Sequence, residues 1–155
     1  MKDQAGSPPA AQLCAALLQY AKTPGRYQLT LRQPSILFHS IREILQLAAG
    51  RGDATQAATR EVREAAGFFL RAALLYPGAD HYAVLGLPAR TEPVELKERY
   101  RLLMRLIHPD YAGSGSLPWP ADAAVRVNRA YEVLSSPLLR REYDEQLAGV
   151  RVQEA

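Results

Sequence analysis

The sequence predicts an all-α protein. Apolar residues recur every three or four positions through most of the chain, which is typical of helices with one buried face. Proline and glycine pairs separate these segments. The one alternating stretch, at Tyr27, Leu29 and Leu31, is short and has no partner strand, so it is interpreted as extended loop.

The first half of the chain predicts two or three helices. Residues 1–11 are rich in small residues and prolines and are expected to be disordered. A helix is predicted over residues 12–22, and another, capped by Ser35, over residues 35–49. A longer helix begins at Asp53 or Thr55 and runs to about residue 76.

Both of the later helices in this half carry an apolar face. The predicted core positions are Leu37, Ile41, Ile44, Leu45 and Ala48 on the first, and Ala58, Val62, Ala65, Ala66, Phe69, Ala72, Ala73 and Tyr76 on the second. A unit of this size is marginal alone, so we expect it to pack on the rest of the chain. His39 has no ligand partner nearby and is interpreted as a partly buried structural histidine.

The second half predicts four helices. A short one starts near Asp80 and ends at Gly86, and the next covers residues 93–107 with Pro93 in its first turn. The third covers residues 121–134. The fourth is capped by Ser136, starts after Pro137 and runs from Leu138 to about Leu147, with a frayed tail over residues 149–155.

The helix over residues 93–107 has two distinct faces. Leu96, Tyr100, Leu103 and Ile107 form its core face, while Lys97, Arg101 and Arg105 form a basic stripe at a spacing of four residues. Pro109 ends this helix, so the stripe leads to the tripeptide His108-Pro109-Asp110.

Composition excludes several classes of protein. The 155 residues carry a net charge of +3, too small and too scattered to indicate a nucleic-acid binder; Arg126, Arg129, Arg140 and Arg141 are interpreted as a solvated face. Cys14 is the single cysteine, so we expect no disulfide, zinc cluster or cofactor. No segment is long enough for a signal peptide or a membrane span, which predicts a soluble, cytoplasmic protein, expected to be a monomer.

Catalysis by this chain is not expected. His108 and Asp110 could form an acid/base pair, but they lie on a turn with no apparent nucleophile. The glycine- and serine-rich residues 111–120 lack the lysine of a phosphate-binding loop.

Residues 80–147 resemble a J-domain, the module of DnaJ-type co-chaperones. The resemblance rests on five blocks in order: Asp80-x-Tyr82-x-x-Leu85-Gly86; Leu96, Tyr100-Arg101 and Leu103; His108-Pro109-Asp110; Val127-Asn128-x-Ala130-Tyr131-x-x-Leu134; and Pro137-x-x-Arg140-x-x-Tyr143-Asp144. The tripeptide alone would be a weak match, whereas the five blocks together are specific.

This resemblance implies a fold and a function. The fold is an antiparallel hairpin of the helices at 93–107 and 121–134, braced by two short helices. The function is to bind a DnaK-type chaperone and stimulate its ATP hydrolysis. Lys97, Arg101 and Arg105 would engage an acidic surface of that partner, and His108-Pro109-Asp110 would act at its interdomain linker.

The resemblance also sets the expected layout of the chain. Residues 79–148 would be the J-domain, and the helical region at 12–78 would select an unidentified client or a location. No glycine/phenylalanine-rich linker, zinc repeat or substrate domain follows, which predicts a single-module J-protein.

Two alternatives stay open. One is a J-like interaction or regulatory module that stimulates no ATPase. The other is an iron–sulfur assembly co-chaperone, since the stretches at 85–90 and 137–143 look like that branch.

Two departures from the J-domain pattern carry expectations of their own. Leu102 and Leu106 replace residues that are often basic and face away from the predicted core, so we expect the N-terminal helices to cover them. Ala124 replaces a large aromatic residue, and Trp119 is expected to fill the gap.

Overall fold

The computed structural model describes residues 10–29, 32–49, 60–107 and 119–154. In these ranges the chain forms eight α-helices: α1 (Ala10–Lys22), α2 (Ser35–Phe38), α3 (Ile41–Ala48), α4 (Arg60–Leu74), α5 (His81–Leu85), α6 (Pro93–Ile107), α7 (Ala123–Leu134) and α8 (Pro137–Glu154). The all-α prediction is confirmed. The disorder expected for residues 1–11 was wrong at Ala10 and Ala11, which are the first residues of α1. The expectations for residues 1–9 and for the start of the long helix at Asp53 or Thr55, including Ala58, lie outside these ranges.

The described part of the alternating stretch after α1, up to Leu29, contains no strand. A single 3₁₀ turn at Pro24–Arg26 follows α1, and the amide of Tyr27 donates to the carbonyl of Pro24 at 3.2 Å. Tyr27 and Leu29 are half-buried against the core. The residues of the stretch that the structure describes thus form turn and loop, as predicted.

The prediction of a single helix over residues 35–49 was wrong, because this segment forms two helices, α2 and α3. Ser40, with φ −124° and ψ 28°, interrupts it, and its amide donates to Leu37 rather than to a carbonyl four residues back. Ser35 does not cap it through its side chain. Periodicity did not reveal the break, since the buried residues on both sides keep a common face: Leu37, Ile41, Ile44, Leu45 and Ala48.

Helix α4 buries most of its predicted face. Val62, Ala65, Ala66, Phe69 and Ala73 are buried, and Ala72 is half-buried. Tyr76 is exposed, contrary to prediction, because α4 ends at Leu74 and helical spacing no longer sets the direction of later side chains. His39 is also exposed rather than partly buried, because it lies in the turn between α2 and α3.

One continuous core joins the two halves of the chain. Helices α1 and α3 pack against α4, α5 and α6 pack against α7, and α3 and α4 reach across to α6 and α5. Gly86, at the end of α5, shows how close this approach is: an added Cβ would lie 3.1 Å from Ile41 of α3, Leu74 of α4 and Arg99 of α6. The N-terminal helices therefore pack directly on the second half of the chain.

Helix α8 is longer than predicted. Ser136 does cap it, since its hydroxyl accepts the amide of Leu139 at 3.3 Å, and Pro137 is its first residue. The helix continues through Gly149 to Glu154, where a frayed tail was expected. A single glycine costs a helix only about 1 kcal/mol and does not end it unless the backbone turns left-handed.

In the four ranges above, no helix is long and apolar enough to cross a membrane.

Candidate functional site

Side-chain hydrogen bonds fix the N-terminus of helix α6. Pro93 occupies the first turn, and the Glu95 carboxylate accepts the hydroxyl of Thr91 at 2.7 Å and the amide of Glu92 at 3.3 Å. These hydrogen bonds, the one from Thr91 foremost, lower the pKa of Glu95. The start of α6 is therefore fixed in position.

The core face of α6 lies against α7. Leu96, Leu103 and Ile107 are buried, as predicted. Tyr100 is half-buried and stacks on Tyr131 of α7, with ring centroids 4.3 Å apart.

Further contacts complete this pairing of α6 with α7. The Tyr100 hydroxyl donates to Asn128 Oδ1 at 2.6 Å. Val127, Ala130 and Leu134 of α7 are fully buried. Trp119 and Ala124 are both half-buried against the same core, and the expectation that Trp119 fills the gap at Ala124 stays a prediction.

The basic stripe is present on α6 as predicted. Lys97, Arg101 and Arg105 are exposed and line a shallow groove of about 270 Å³, together with Val94, Glu98 and Leu102. The groove follows one side of the helix. The tripeptide His108-Pro109-Asp110, which comes next in the sequence, lies outside the described residues.

Helix α3 covers the flank of α6 beside this stripe. Leu106 is buried, whereas Leu102 is half-buried and lines the groove described above. Helix α3 packs against α6. That the N-terminal helices cover Leu102 and Leu106 stays a prediction. Arg42 of α3 donates from Nη2 and Nε to one carboxylate oxygen of Glu98, at 2.9 and 3.0 Å.

Arg99 ties α6 to the end of α5. Its Nη1 donates to the carbonyls of Leu85 and Gly86 at 2.9 and 3.0 Å. Burial lowers the pKa of Arg99 to about 10, which still leaves the guanidinium charged at neutral pH. The side chain is thus structural and takes no part in the exposed stripe.

The first and last blocks of the J-domain pattern meet in space at Tyr82 of α5. The Tyr82 hydroxyl donates to Asp144 Oδ1 at 2.6 Å and accepts from Arg140 Nε at 3.0 Å. Burial, together with the hydrogen bond to Asp144, raises the pKa of Tyr82.

Two more hydrogen bonds from Arg140 extend this network. Its Nη2 donates to the carbonyls of Ala89 and Thr91, at 2.9 and 2.8 Å. These contacts fasten α8 to α5 and to the loop that leads into α6.

His81 contributes a second link between α5 and α8. Its ring stacks on Tyr143 at 4.5 Å, and its backbone amide donates to the Tyr143 hydroxyl at 2.8 Å. Burial lowers the pKa of His81, and the nearby charge of Arg129 adds to that effect, while Asp80 opposes it. The Asp80 carboxylate caps α5 by accepting the amide of Ala83 at 2.7 Å.

The interpretation of four arginines as a solvated face was wrong for two of them. Arg140 is part of the network just described. Arg126 donates to the carbonyls of Leu75 and Tyr76 at 2.9 and 2.8 Å and so caps the end of α4. Sequence spacing could not reveal these partners, because they lie about fifty residues away.

The chain carries no obvious metal chemistry in the part that the structure describes, where no cluster of three ligating side chains occurs. Cys14 is buried, and burial raises the pKa of its thiol, which keeps it protonated at neutral pH.

Comparison with known proteins identifies this helical unit. The family model for the DnaJ domain matches residues 80–144. These residues therefore form a DnaJ domain, in the C-terminal part of the chain. Within this domain α6 packs against α7, and α5 and α8 pack against α7 as well.

Curated relatives agree with this assignment. The chaperone protein DnaJ of Nostoc punctiforme is 45% identical over 65 residues, which cover 42% of this chain and 16% of that protein. DnaJ of Bifidobacterium longum is 46% identical over 66 residues, covering 43% and 16%. The co-chaperone protein HscB homolog of Bordetella parapertussis is 36% identical over 83 residues, covering 48% and 46%.

The chain thus matches about a sixth of the length of these DnaJ proteins and just under half of the HscB homolog. No solved structure matches the chain.

Proposed function

We propose that this protein is a cytoplasmic co-chaperone that binds a DnaK-type chaperone and stimulates its ATP hydrolysis. The observation that carries the proposal is a DnaJ domain whose α6 presents an exposed basic stripe leading in sequence to His108-Pro109-Asp110. The chain itself would catalyse nothing, because the chemistry would take place in the partner.

The stripe would steer the encounter. Lys97, Arg101 and Arg105 are exposed, and charges at the rim of an interface raise the association rate more than the final affinity. Their effect falls as ionic strength rises, because salt screens exposed charges over about 10 Å at 0.1 M.

The tripeptide would act after the encounter. A carboxylate such as that of Asp110 can form a charge-assisted hydrogen bond with an arginine of the partner, stronger than a bond between neutral groups. Pro109 would fix the turn that presents His108 and Asp110. These roles are expectations from the family pattern for residues outside the described ranges.

The helices before Pro77 would provide specificity. We propose that residues 12–78 select a client protein or a location, while residues 79–148 act on the chaperone. The protein would act as a monomer without a cofactor, membrane insertion or nucleic acid.

Single-turnover ATP hydrolysis by a DnaK-type chaperone tests this function. The wild-type chain should accelerate hydrolysis, and His108→Gln and Asp110→Asn should abolish the acceleration. Asp122→Asn is a matched control, because Asp122 is exposed and its side chain makes no capping hydrogen bond at α7. Equal rates with the wild type and with both tripeptide variants would refute the proposal.

The stripe has its own test. Arg101→Ala should weaken stimulation at low salt and have less effect at high salt. Arg63→Ala removes the same charge from an exposed position on α4 and should change little. Loss of the same size in both variants would mean that net charge alone matters.

A second candidate rests on the HscB similarity. The chain is 36% identical over 83 residues to the co-chaperone protein HscB homolog, and the stretches at 85–90 and 137–143 resemble the iron–sulfur assembly branch, so that role is the second candidate. Binding of an iron–sulfur scaffold protein to the full chain would support this role.

If the chain binds a DnaK-type chaperone without changing the hydrolysis rate of that chaperone, the chain is instead a regulatory module.

A further inference from the structure

We infer that the chaperone-binding surface is composite: Arg42 of the N-terminal helix α3 belongs to it, because Arg42 pairs with Glu98 and keeps that carboxylate from neutralising the basic stripe. The inference rests on the proposed function and assigns part of it to a helix outside the DnaJ domain. The partner it fits is an acidic protein surface that reaches across α6 onto α3.

The geometry supports a composite surface. Glu98 lines the same groove as Lys97, Arg101 and Arg105, as an acidic side chain within a basic patch. Arg42 meets it from the neighbouring helix with two nitrogens on one carboxylate oxygen, at 2.9 and 3.0 Å. Both side chains of this pair are 49% exposed, so the pair lies at the surface, where a partner can contact it.

Without Arg42, Glu98 has another partner within reach. Arg101 is three residues further along α6, and side chains at this spacing are neighbours on a helix surface. A carboxylate released by α3 can therefore pair with Arg101 and neutralise the middle of the stripe. Loss of Arg42 would thus lower the local charge by one, because Glu98 would then neutralise Arg101 instead of Arg42.

The rest of α3 keeps Arg42 in place. Its neighbour Ile41 is buried and lies where a Cβ on Gly86 would touch it at 3.1 Å, and Ile44 and Leu45 are buried one turn further on. Glu43, the acidic residue of α3, acts electrostatically on the buried Arg99. A rigid α3 therefore delivers Arg42 to Glu98.

Stimulation measured against concentration of the full chain tests this inference at low salt. Arg42→Ala should raise the concentration for half-maximal stimulation on the order of threefold, with an unchanged maximal rate, because steering affects encounter. Glu98→Gln should perform at least as well as the wild type. The double variant should regain wild-type behaviour, since no free carboxylate remains to neutralise Arg101.

A matched control separates this local effect from net charge. Arg60→Ala removes an arginine from another exposed ion pair, the one with Glu64 on α4, and should leave the half-maximal concentration unchanged. If Arg42→Ala behaves like Arg60→Ala, the inference is wrong. It is also wrong if the double variant stays as weak as Arg42→Ala, because the loss would then come from displaced α3.

The wild-type chain distinguishes the two levels of failure. If it leaves hydrolysis unchanged, the proposed function fails and this inference with it. If it stimulates and the double variant shows no rescue, only the role of Arg42 fails.

Discussion

Replacement of Arg99 by methionine tests whether the DnaJ domain depends on a buried arginine that no motif marks. Arg99 is the link between α6 and the end of α5, through its two hydrogen bonds to the carbonyls of Leu85 and Gly86. Methionine keeps the length and the apolar contacts of the side chain but donates nothing. Both carbonyls would then lose the partner that Arg99 provides.

The expected cost follows from these two bonds. A hydrogen bond from a charged donor contributes about 1.5–3 kcal/mol, and burial of the charge offsets part of this. That offset is visible in the lowered pKa of Arg99, about 10. We therefore expect the free energy of unfolding to fall by about 2–3 kcal/mol, which for a chain of this length lowers the melting temperature by roughly 4–12 °C.

Urea and thermal unfolding of the full chain, followed by circular dichroism, measure this loss. Arg101→Met is the control, since Arg101 lies two residues along the same helix with its side chain exposed. The control should change the unfolding free energy by less than about 0.5 kcal/mol. Equal stability of the two variants would refute the structural role of Arg99.

Three further predictions concern the junctions around α5. Gly86→Ala should lower the unfolding free energy by about 2–3 kcal/mol, because φ is +67° and the new Cβ would meet three side chains at 3.1 Å. Gly78 has φ +84° and open space around it, so Gly78→Ala should lower the unfolding free energy by only about 1 kcal/mol. Equal losses for Gly86→Ala and Gly78→Ala in denaturant unfolding would contradict the crowding argument. Tyr82→Phe should lower the unfolding free energy by about 1–3 kcal/mol, because Asp144 loses the hydroxyl that donates to it at 2.6 Å. Amide hydrogen exchange in α8 should then become faster, and unchanged exchange would argue against this link between α5 and α8. The pKa of His81 is below 6.5 in the folded state, so the unfolded state takes up the proton first and stability should fall as pH drops below 6.5. His81→Phe should remove that part of the slope in unfolding free energy below about pH 6.5, and an unchanged slope would assign it to other groups.

Local sequence predicted the helices of the second half well. The bounds of α6, Pro93–Ile107, agree with the prediction, and Pro93 suits the first turn because its missing N–H costs nothing there. The core face of α6 was also predicted correctly, since Leu96, Leu103 and Ile107 repeat at helical spacing and are buried. The basic stripe followed from the same spacing.

The first half was harder to predict. Ser40 interrupts the helix predicted over residues 35–49, and it does so without a proline or glycine to signal the break. Tyr76 was assigned to the core by extending a period beyond the end of α4. The end of α4 has a local signal in Pro77, which disfavours helical backbone at Tyr76, whereas the break at Ser40 has none.

The sequence by itself determined that this protein is all-α, where its DnaJ domain lies, and which charges line α6. Helical periodicity, capping residues and ordered motifs depend on neighbours within a few positions, so they can be read without a fold. Only the tertiary structure decided that α3 covers α6, that Arg42 holds Glu98, and that Arg99, Arg126 and Arg140 bind carbonyls of other segments. Those partners are 13 to 56 residues apart, and only packing of the apolar faces brings them within hydrogen-bond distance.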